Sequence, residues 1–128
     1  MDKVGELTLP GVTRSVRMAR RFVRDMMPEG YGRCDDLQLC VSETVSNAIL
    51  HTDSGQDGWV TVRMVLGAAL VRVEVVDDGG GEKEAHVCRG ADGEHGRGLL
   101  LVEETADRWG VDGRNVWCEF DDSVRPVT

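Results

Sequence analysis

An acidic residue and an amide residue, Glu43 and Asn47, lie four positions apart in the segment LCVSETVSNAILH. If this segment is helical, their side chains lie one above the other on the flank of its apolar stripe. There a carboxylate and an amide can face a pocket formed where the helix meets a sheet. Oxygen ligands of this kind suit Mg2+, which binds few protein groups and keeps waters and phosphate oxygens. The competing interpretation, and the commoner one for an isolated pair, is a solvated helix flank.

Two glycine-rich segments follow further along the chain. Asp77-Asp78-Gly79-Gly80-Gly81 comes directly after the valine-rich LVRVEVV, and its glycines allow the backbone to approach a ligand closely. An aspartate at a strand end can accept a hydrogen bond from an exocyclic amine such as that of adenine. A plain turn is the competing interpretation of this segment.

The second segment, Gly96-Arg97-Gly98, precedes the apolar run LLLV. We expect it to open a helix, whose free N–H groups and positive dipole end form a seat for phosphate. Arg97 either adds positive charge there or is simply exposed. The preceding segment 90–96 is predicted to act as a lid over the ligand.

Several other chemistries lack the motifs that would support them. The sequence contains no GxxxxGK[ST] P-loop, no GxGxxG between a strand and a helix, and no G-x-S-x-G elbow. Its four cysteines, at positions 34, 40, 88 and 118, have neither CxxC nor zinc-site spacing. They are therefore predicted to be buried structural thiols without a disulfide framework or a metal.

The charge of the chain is strongly asymmetric. The net charge is −8 over 128 residues, which argues against nucleic acid as the main partner. Between positions 12 and 33, however, six arginines face only two acidic residues, a local balance of +4 that leaves −12 for the rest. This basic segment is either a partner-facing surface or a solvated helix face.

The sequence also predicts the compartment. No apolar run approaches the roughly 20 residues that span a bilayer, and the N-terminal MDKVGELTLPG lacks a signal-peptide core. We therefore expect a cytoplasmic protein without a membrane partner.

The periodicity of apolar residues predicts an α+β domain with helices on one face of a sheet. The predicted strands cover 6–9, 59–66, 70–76, 108–111 and 116–120, and the predicted helices cover about 13–27, 35–51 and 98–106. Thr13 is the expected N-cap of the first helix. That helix has an apolar stripe of Val16, Ala19, Val23 and Met26 with Arg14, Arg17, Arg21 and Arg24 opposite, and the second has a stripe of Leu37, Val41, Thr44 and Ala48.

Three segments, in this order, resemble the Bergerat ATP-binding fold shared by gyrase, heat-shock chaperones, histidine kinases and mismatch-repair ATPases (the GHKL group). They are LCVSETVSNAILH, VEVVDDGGG and HGRGLLLVEETADRWGV. More narrowly, they are similar to small bacterial anti-sigma factors that are also serine/threonine protein kinases. The resemblance implies one histidine-kinase-like domain over residues 1–128. The implied fold is a two-layer α/β sandwich whose mixed, mainly antiparallel sheet carries three helices on one face.

The resemblance also implies roles for individual residues. Asn47 corresponds to the asparagine that holds Mg2+, and Glu43 to the glutamate that acts as general base. Asp77 matches the aspartate that reads the adenine amino group. The matching glycines are Gly79 and Gly81 in the adenine pocket and Gly96 and Gly98 at the phosphate lid, with Arg97 between them.

One position departs from the family pattern. Family members often carry Lys-Thr before the last Val-Trp strand, where this chain has Arg114-Asn115. The threonine position supports the adenine-binding aspartate, and Asn115 retains the ability to form hydrogen bonds.

The implied activity is transfer of the ATP γ-phosphate to a serine or threonine of an anti-anti-sigma (STAS-type) protein, with ATP and Mg2+ as cofactors. A sigma factor and that anti-anti-sigma protein are the implied partners, and members often work as homodimers. Two alternatives stay open. One is an ATP-responsive anti-sigma binding module with negligible kinase activity, and the other is a slow ATPase.

Overall fold

The computed structural model describes residues 3–51, 58–77 and 94–121, except for the side chains of residues 51 and 94–98. This part contains five strands and three helices. The strands are β1 (Lys3–Pro10), β2 (Trp59–Leu66), β3 (Leu70–Asp77), β4 (Arg108–Asp112) and β5 (Asn115–Asp121), and the helices are α1 (Ser15–Met26), α2 (Cys34–His51) and α3 (Glu94–Thr105).

The strands form one sheet in the order β1-β2-β3-β5-β4. Each of its pairings is antiparallel, so the expected mixed sheet is antiparallel throughout the described residues. α2 is the central helix, because it contacts β2, β3 and β5 as well as both other helices. The predicted α+β class and its two-layer arrangement are confirmed.

The core lies between the helices and one face of the sheet. Along β2, β3 and β5 every second residue is buried, as alternation of side chains across a strand requires. Phe120 is the bulkiest fully buried side chain, and truncating such a residue to alanine typically costs about 3–5 kcal/mol. The opposite face of the sheet carries arginines, glutamates and Trp117.

The predicted apolar stripes of the helices are confirmed. Ala19 and Val23 of α1 are fully buried, with Val16 and Met26 packed against the core. All four predicted residues of the α2 stripe are buried. One of them, Thr44, donates its hydroxyl to the carbonyl oxygen of Cys40 at 2.6 Å, so this polar group enters the core with its hydrogen bond made.

The predicted cap of the first helix is wrong. Arg14, not Thr13, is the N-cap, and its helical backbone is accompanied by no side-chain cap. Side-chain capping requires an extended backbone at that residue. Here the Ser15 hydroxyl instead donates to the carbonyl oxygen of Pro10 at 2.6 Å. The helix entrance is thus held to the end of β1.

None of the helices in the described part of the chain is both long and apolar enough to cross a membrane.

Candidate functional site

The polar residues of α2 lie on its inner flank. Asn47 is 7% exposed and Thr44 is buried, while Glu43 is half-buried. Because Glu43 and Asn47 are one helical turn apart, their β-carbons are about 5–6 Å from each other. The solvated-flank interpretation does not hold for Asn47. Burying an amide is costly without a partner, so its place in the interior requires polar surroundings.

The contacts of Arg33, just before α2, show which ends of the helices and of the sheet lie together. Its Nη2 donates to the carbonyl oxygen of Thr105 at the end of α3 at 2.8 Å. Its Nη1 donates to Asp107 at 2.7 Å. The guanidinium also lies 4.7 Å from the ring centroid of Phe120 near the end of β5. The start of α2, the end of α3 and the end of β5 therefore meet at one end of the molecule.

This meeting point determines which residues share the other end. Leu70, the first residue of β3, pairs with Asp121 beside Phe120, so β3 starts where α2 starts. Asn47 lies about 20 Å further along α2 at 1.5 Å per residue. Asp77 lies about 24 Å further along β3 at 3.4 Å per residue. Asn47 and Asp77 therefore lie at the same end of the sandwich.

Asp77 is a buried carboxylate at the end of β3. It is 1% exposed and lies on the core face of the sheet. Its backbone N–H donates to the carbonyl oxygen of Arg114 at 3.1 Å. Nη1 of Arg114 lies 3.6 Å from its Oδ2. Asp77 is thus held by both the backbone and the side chain of one residue in the β4–β5 hairpin.

Arg114 is the residue that sequence reasoning missed. The hairpin turn explains its position, because Gly113 has a φ of +61°, a conformation that favours glycine. That turn places Arg114 directly before β5. The sequence signal was Gly113 between the two predicted strands, but the pairing of β5 with β3 was needed to bring Arg114 to Asp77.

The structure does not bring the side chain of Asn115 to Asp77. Asn115 pairs with Val76, so it lies on the opposite face of the sheet from Asp77. Its Oδ1 is buried and has no hydrogen-bond partner among the described residues. Arg114, rather than Asn115, occupies the position beside the aspartate.

The helix expected to open at Gly98 begins earlier, at Glu94. The prediction failed because glycine has low intrinsic helix propensity, which packing against neighbouring elements can override. The N–H groups of the first three residues of a helix lack intrahelical partners, and in α3 these are residues 94–96. Gly96 therefore contributes a free N–H group, whereas Arg97 and Gly98 lie inside the helical hydrogen-bond ladder.

The N-terminal turn of α3 lies towards the Asn47 end of the molecule. α3 packs against α2, and its last turn is held at the Arg33 end, so its first turn is about 16 Å away from there. The predicted phosphate seat and the Glu43/Asn47 pair consequently lie at similar distances from the Arg33 end of the molecule. Gly79, Gly81, most of the expected lid and the side chain of Arg97 fall outside the described residues.

Two further predictions from the sequence concern the cysteines and a metal site. Cys40 and Cys118 are buried free thiols, as predicted, and Cys34 is half-buried. Cys88 lies outside the described residues. Within ranges 3–50, 58–77 and 99–121, no group of three or more histidine, cysteine or acidic side chains is clustered as a metal site.

A two-layer sandwich with a buried aspartate at a strand end and an acid/amide pair on the central helix defines a candidate nucleotide-binding domain. The family model of the histidine kinase-like ATPase domain matches residues 9–117. The chain belongs to this family. The match extends from the end of β1 into β5 and includes every described candidate residue. No curated protein matches the chain at a significant level.

Proposed function

We propose that this chain is a cytoplasmic regulatory protein kinase that binds Mg–ATP. It would transfer the γ-phosphate to a serine or threonine of an anti-anti-sigma partner. Its other partner would be a sigma factor. The observation that carries the proposal is the burial of Asn47 and Asp77 at one end of a histidine kinase-like ATPase domain.

The proposal assigns nucleotide-binding roles to Asp77 and to the first turn of α3. Asp77 accepts a hydrogen bond from the adenine amino group. The first turn of α3 offers its free N–H groups to the phosphates. Together the two contacts orient the nucleotide so that its γ-phosphate lies near Glu43 and Asn47 on α2.

The donor set of α2 fits Mg2+. One amide oxygen and one nearby carboxylate are oxygen ligands, and Mg2+ takes few protein ligands beside water and phosphate. Asn47 is the residue that would hold the ion. When bound, Mg2+ supplies neutralisation of phosphate charge.

Glu43 is the general base in the proposed transfer. It takes the proton of the partner's hydroxyl as that oxygen forms a bond to the γ-phosphorus. The bond from the γ-phosphorus to the β–γ bridging oxygen breaks, and ADP leaves with that oxygen. A half-buried carboxylate can both accept a proton and reach a substrate that docks from solvent.

Two substitutions on α2 test these roles separately. Glu43→Gln should retain the wild-type Kd for Mg–ATP in calorimetry but lower the transfer rate by about a hundredfold or more, since general base catalysis contributes about 10²–10⁴. Asn47→Ala should weaken Mg–ATP binding at least tenfold. Asp35→Asn, an exposed change at the start of the same helix, is the matched control and should alter neither value.

Transfer is measured with γ-labelled ATP and the STAS-type partner purified from the host. Undiminished transfer by Glu43→Gln would refute the base assignment, and an unchanged Kd in Asn47→Ala would refute the Mg–ATP site. Phosphate release at the same rate without any partner would identify a slow ATPase instead. ATP-dependent partner binding without label transfer would identify a binding module.

A further inference from the structure

Arg114 and Asp77 form an opposite-charge pair at the position where the proposed function places the nucleotide base. Nη1 of Arg114 lies 3.6 Å from Oδ2 of Asp77. This separation is that of an ion pair rather than a hydrogen bond, so the N–H groups of the guanidinium can still donate to a ligand. The side chain of Arg114 is 28% exposed and that of Asp77 is 1% exposed. The guanidinium therefore lies on the accessible side of the pair.

The backbone holds these two residues beside each other. The N–H of Asp77 donates to the carbonyl oxygen of Arg114 at 3.1 Å. Gly113, whose φ is +61°, makes the turn that places Arg114 directly before β5. The pairing of β5 with β3 extends to Val76, the residue before Asp77. Because both residues are attached to paired strands, a donor and an acceptor are arranged side by side before a ligand arrives.

A carboxylate beside a guanidinium can recognise a base that a carboxylate alone would reject. Adenine carries an amino donor at N6, so a single carboxylate can accept a hydrogen bond from it. Guanine carries a carbonyl acceptor at O6 and a donor at N1. Without a neighbouring donor, O6 would face the carboxylate as a second acceptor and would lose its hydrogen bonds to water, which is costly. An arginine donates to O6 and removes that cost, as arginines do when they recognise guanine in DNA.

We propose that Arg114 widens the base specificity of this site, so that it binds guanine nucleotides as well as adenine nucleotides. With guanine, Arg114 donates to O6 while Asp77 accepts from the N1 and N2 donors. With adenine, Asp77 accepts from the N6 amino group and Arg114 donates to the acceptor N1. The nucleotide substrate is then ATP or GTP. This inference rests on the proposed function for the location of the base.

A purely structural role for Arg114 predicts a different result. If the guanidinium only compensates the buried charge of Asp77, its removal affects the affinity for every nucleotide to the same extent. If it contacts the base, its removal changes the ratio of the Kd for GTP to the Kd for ATP. That ratio is therefore the quantity to measure, because a general loss of stability does not alter it.

Calorimetry of the full chain with Mg–ATP and with Mg–GTP tests the inference. The wild type should bind the two nucleotides with Kd values within about tenfold of each other, because each base meets a donor and an acceptor. Arg114→Met keeps an unbranched side chain but removes its N–H donors. It should raise the ratio of the Kd for GTP to the Kd for ATP by about tenfold or more, since O6 then faces the carboxylate while adenine keeps its N6 contact.

Two further variants serve as controls. Arg114→Lys keeps a charged donor and should retain a ratio close to that of the wild type. Arg108→Met removes an arginine of the outer sheet face and should leave the ratio unchanged. Arg114→Thr repeats the measurement if Arg114→Met does not fold. An unchanged ratio in the folded Arg114 variant would overturn the inference, and so would a wild-type Kd for GTP more than about a hundredfold above that for ATP.

Failure of this inference and failure of the proposed function give different results. A wild-type chain that binds ATP but not GTP retains the nucleotide site and refutes the role of Arg114. A chain that binds neither nucleotide refutes the site itself. Binding of both nucleotides without transfer of label from either to the partner protein refutes the kinase proposal and supports the base specificity.

Discussion

At the scale of single residues, the ion pair with Arg114 explains how the acidic side chain of Asp77 can be buried at the end of β3. A buried charge requires a compensating charge or hydrogen bonds. Arg114 provides one at 3.6 Å, but its own side chain is 28% exposed. Solvent therefore screens the attraction, which we expect to be modest.

Arg114→Ala should lower the free energy of unfolding by about 1 kcal/mol, the upper range for a solvent-screened pair. Arg114→Lys should recover much of it by keeping the charge. In an Asp77→Asn background the alanine substitution should have little effect, since the carboxylate is gone. Urea denaturation of the four proteins of this cycle gives the coupling energy, and an equal loss in both backgrounds would contradict a direct interaction.

Asn47 and Glu43 show how one helix can hold two polar groups at different depths. They are one turn apart, yet Asn47 is buried and Glu43 is half-buried. The amide thus lies against the interior, whereas the carboxylate is partly accessible to solvent. This difference is consistent with the roles proposed for them, metal binding for Asn47 and proton transfer for Glu43.

At the scale of elements, the outer face of the sheet is held by an ionic network across strands. Arg72 of β3 donates to Glu119 of β5 at 2.7 Å and to Glu74 at 2.8 Å. Its guanidinium stacks over Trp117 at 4.4 Å from the ring centroid. Arg108 of the edge strand β4 donates to Glu119 at 2.9 Å. Three strands are thereby connected through one carboxylate.

This network predicts the acid sensitivity of the sheet. Burial raises the pKa of Glu119, but hydrogen bonds from Arg108 and Arg72 outweigh it and hold the pKa below its ordinary value of 4.5. A depressed folded-state pKa contributes stability above the unfolded-state value, and this is lost as pH falls through the folded-state pKa. Glu119 therefore stabilises the sheet near neutral pH, and its contribution declines below about pH 4.5.

Glu119→Gln should accordingly be less stable at pH 7 and lose less stability between pH 5 and pH 3 than the wild type. Denaturant unfolding at each pH measures the slope. Glu104→Gln, an exposed change on α3, removes the same formal charge and should follow the wild-type profile. Parallel profiles for wild type and Glu119→Gln would show that the network does not couple to protonation.

At the scale of the whole molecule, a shared core makes the buried thiols reporters of global unfolding. Cys40 of α2 and Cys118 of β5 lie in the layer between helices and sheet. A hydrogen bond with Cys40, together with burial, raises the pKa of the Cys118 thiol. Since the thiolate is the reactive form, both effects reduce its reactivity.

Among the three cysteines of the described residues, half-buried Cys34 should react first with a disulfide reagent in the native protein, while Cys40 and Cys118 should resist labelling. In increasing urea, the opening free energy from Cys118 labelling should equal the global free energy of unfolding. Mass spectrometry identifies the labelled residue, and Cys34→Ser is the control that removes the product labelled at position 34. Rapid labelling of Cys118 in buffer would contradict the two-layer core.

Much of the fold could be predicted from local sequence pattern. The alternating valines of β2 and β3 and the periodic apolar residues of α1 and α2 report which side of each element is buried. Glu43, Asn47 and Asp77 stay predicted site residues; the structure adds that Asn47 and Asp77 are buried. The missed cap at Thr13 and the misplaced start of α3 are boundary errors, where nearby packing outweighs intrinsic preference.

The sequence by itself thus determined the α+β class, the apolar faces, the basic face of α1 and the candidate polar residues. Tertiary structure alone decided the strand order, the common end shared by Asn47 and Asp77, and the choice of Arg114 over Asn115 beside the aspartate. The physical reason is the range of the interactions. The periodicity of buried residues depends on a few neighbouring residues. The Arg33–Thr105 and Asp77–Arg114 contacts join residues far apart in the chain, and they form only when the strands of the sheet have paired.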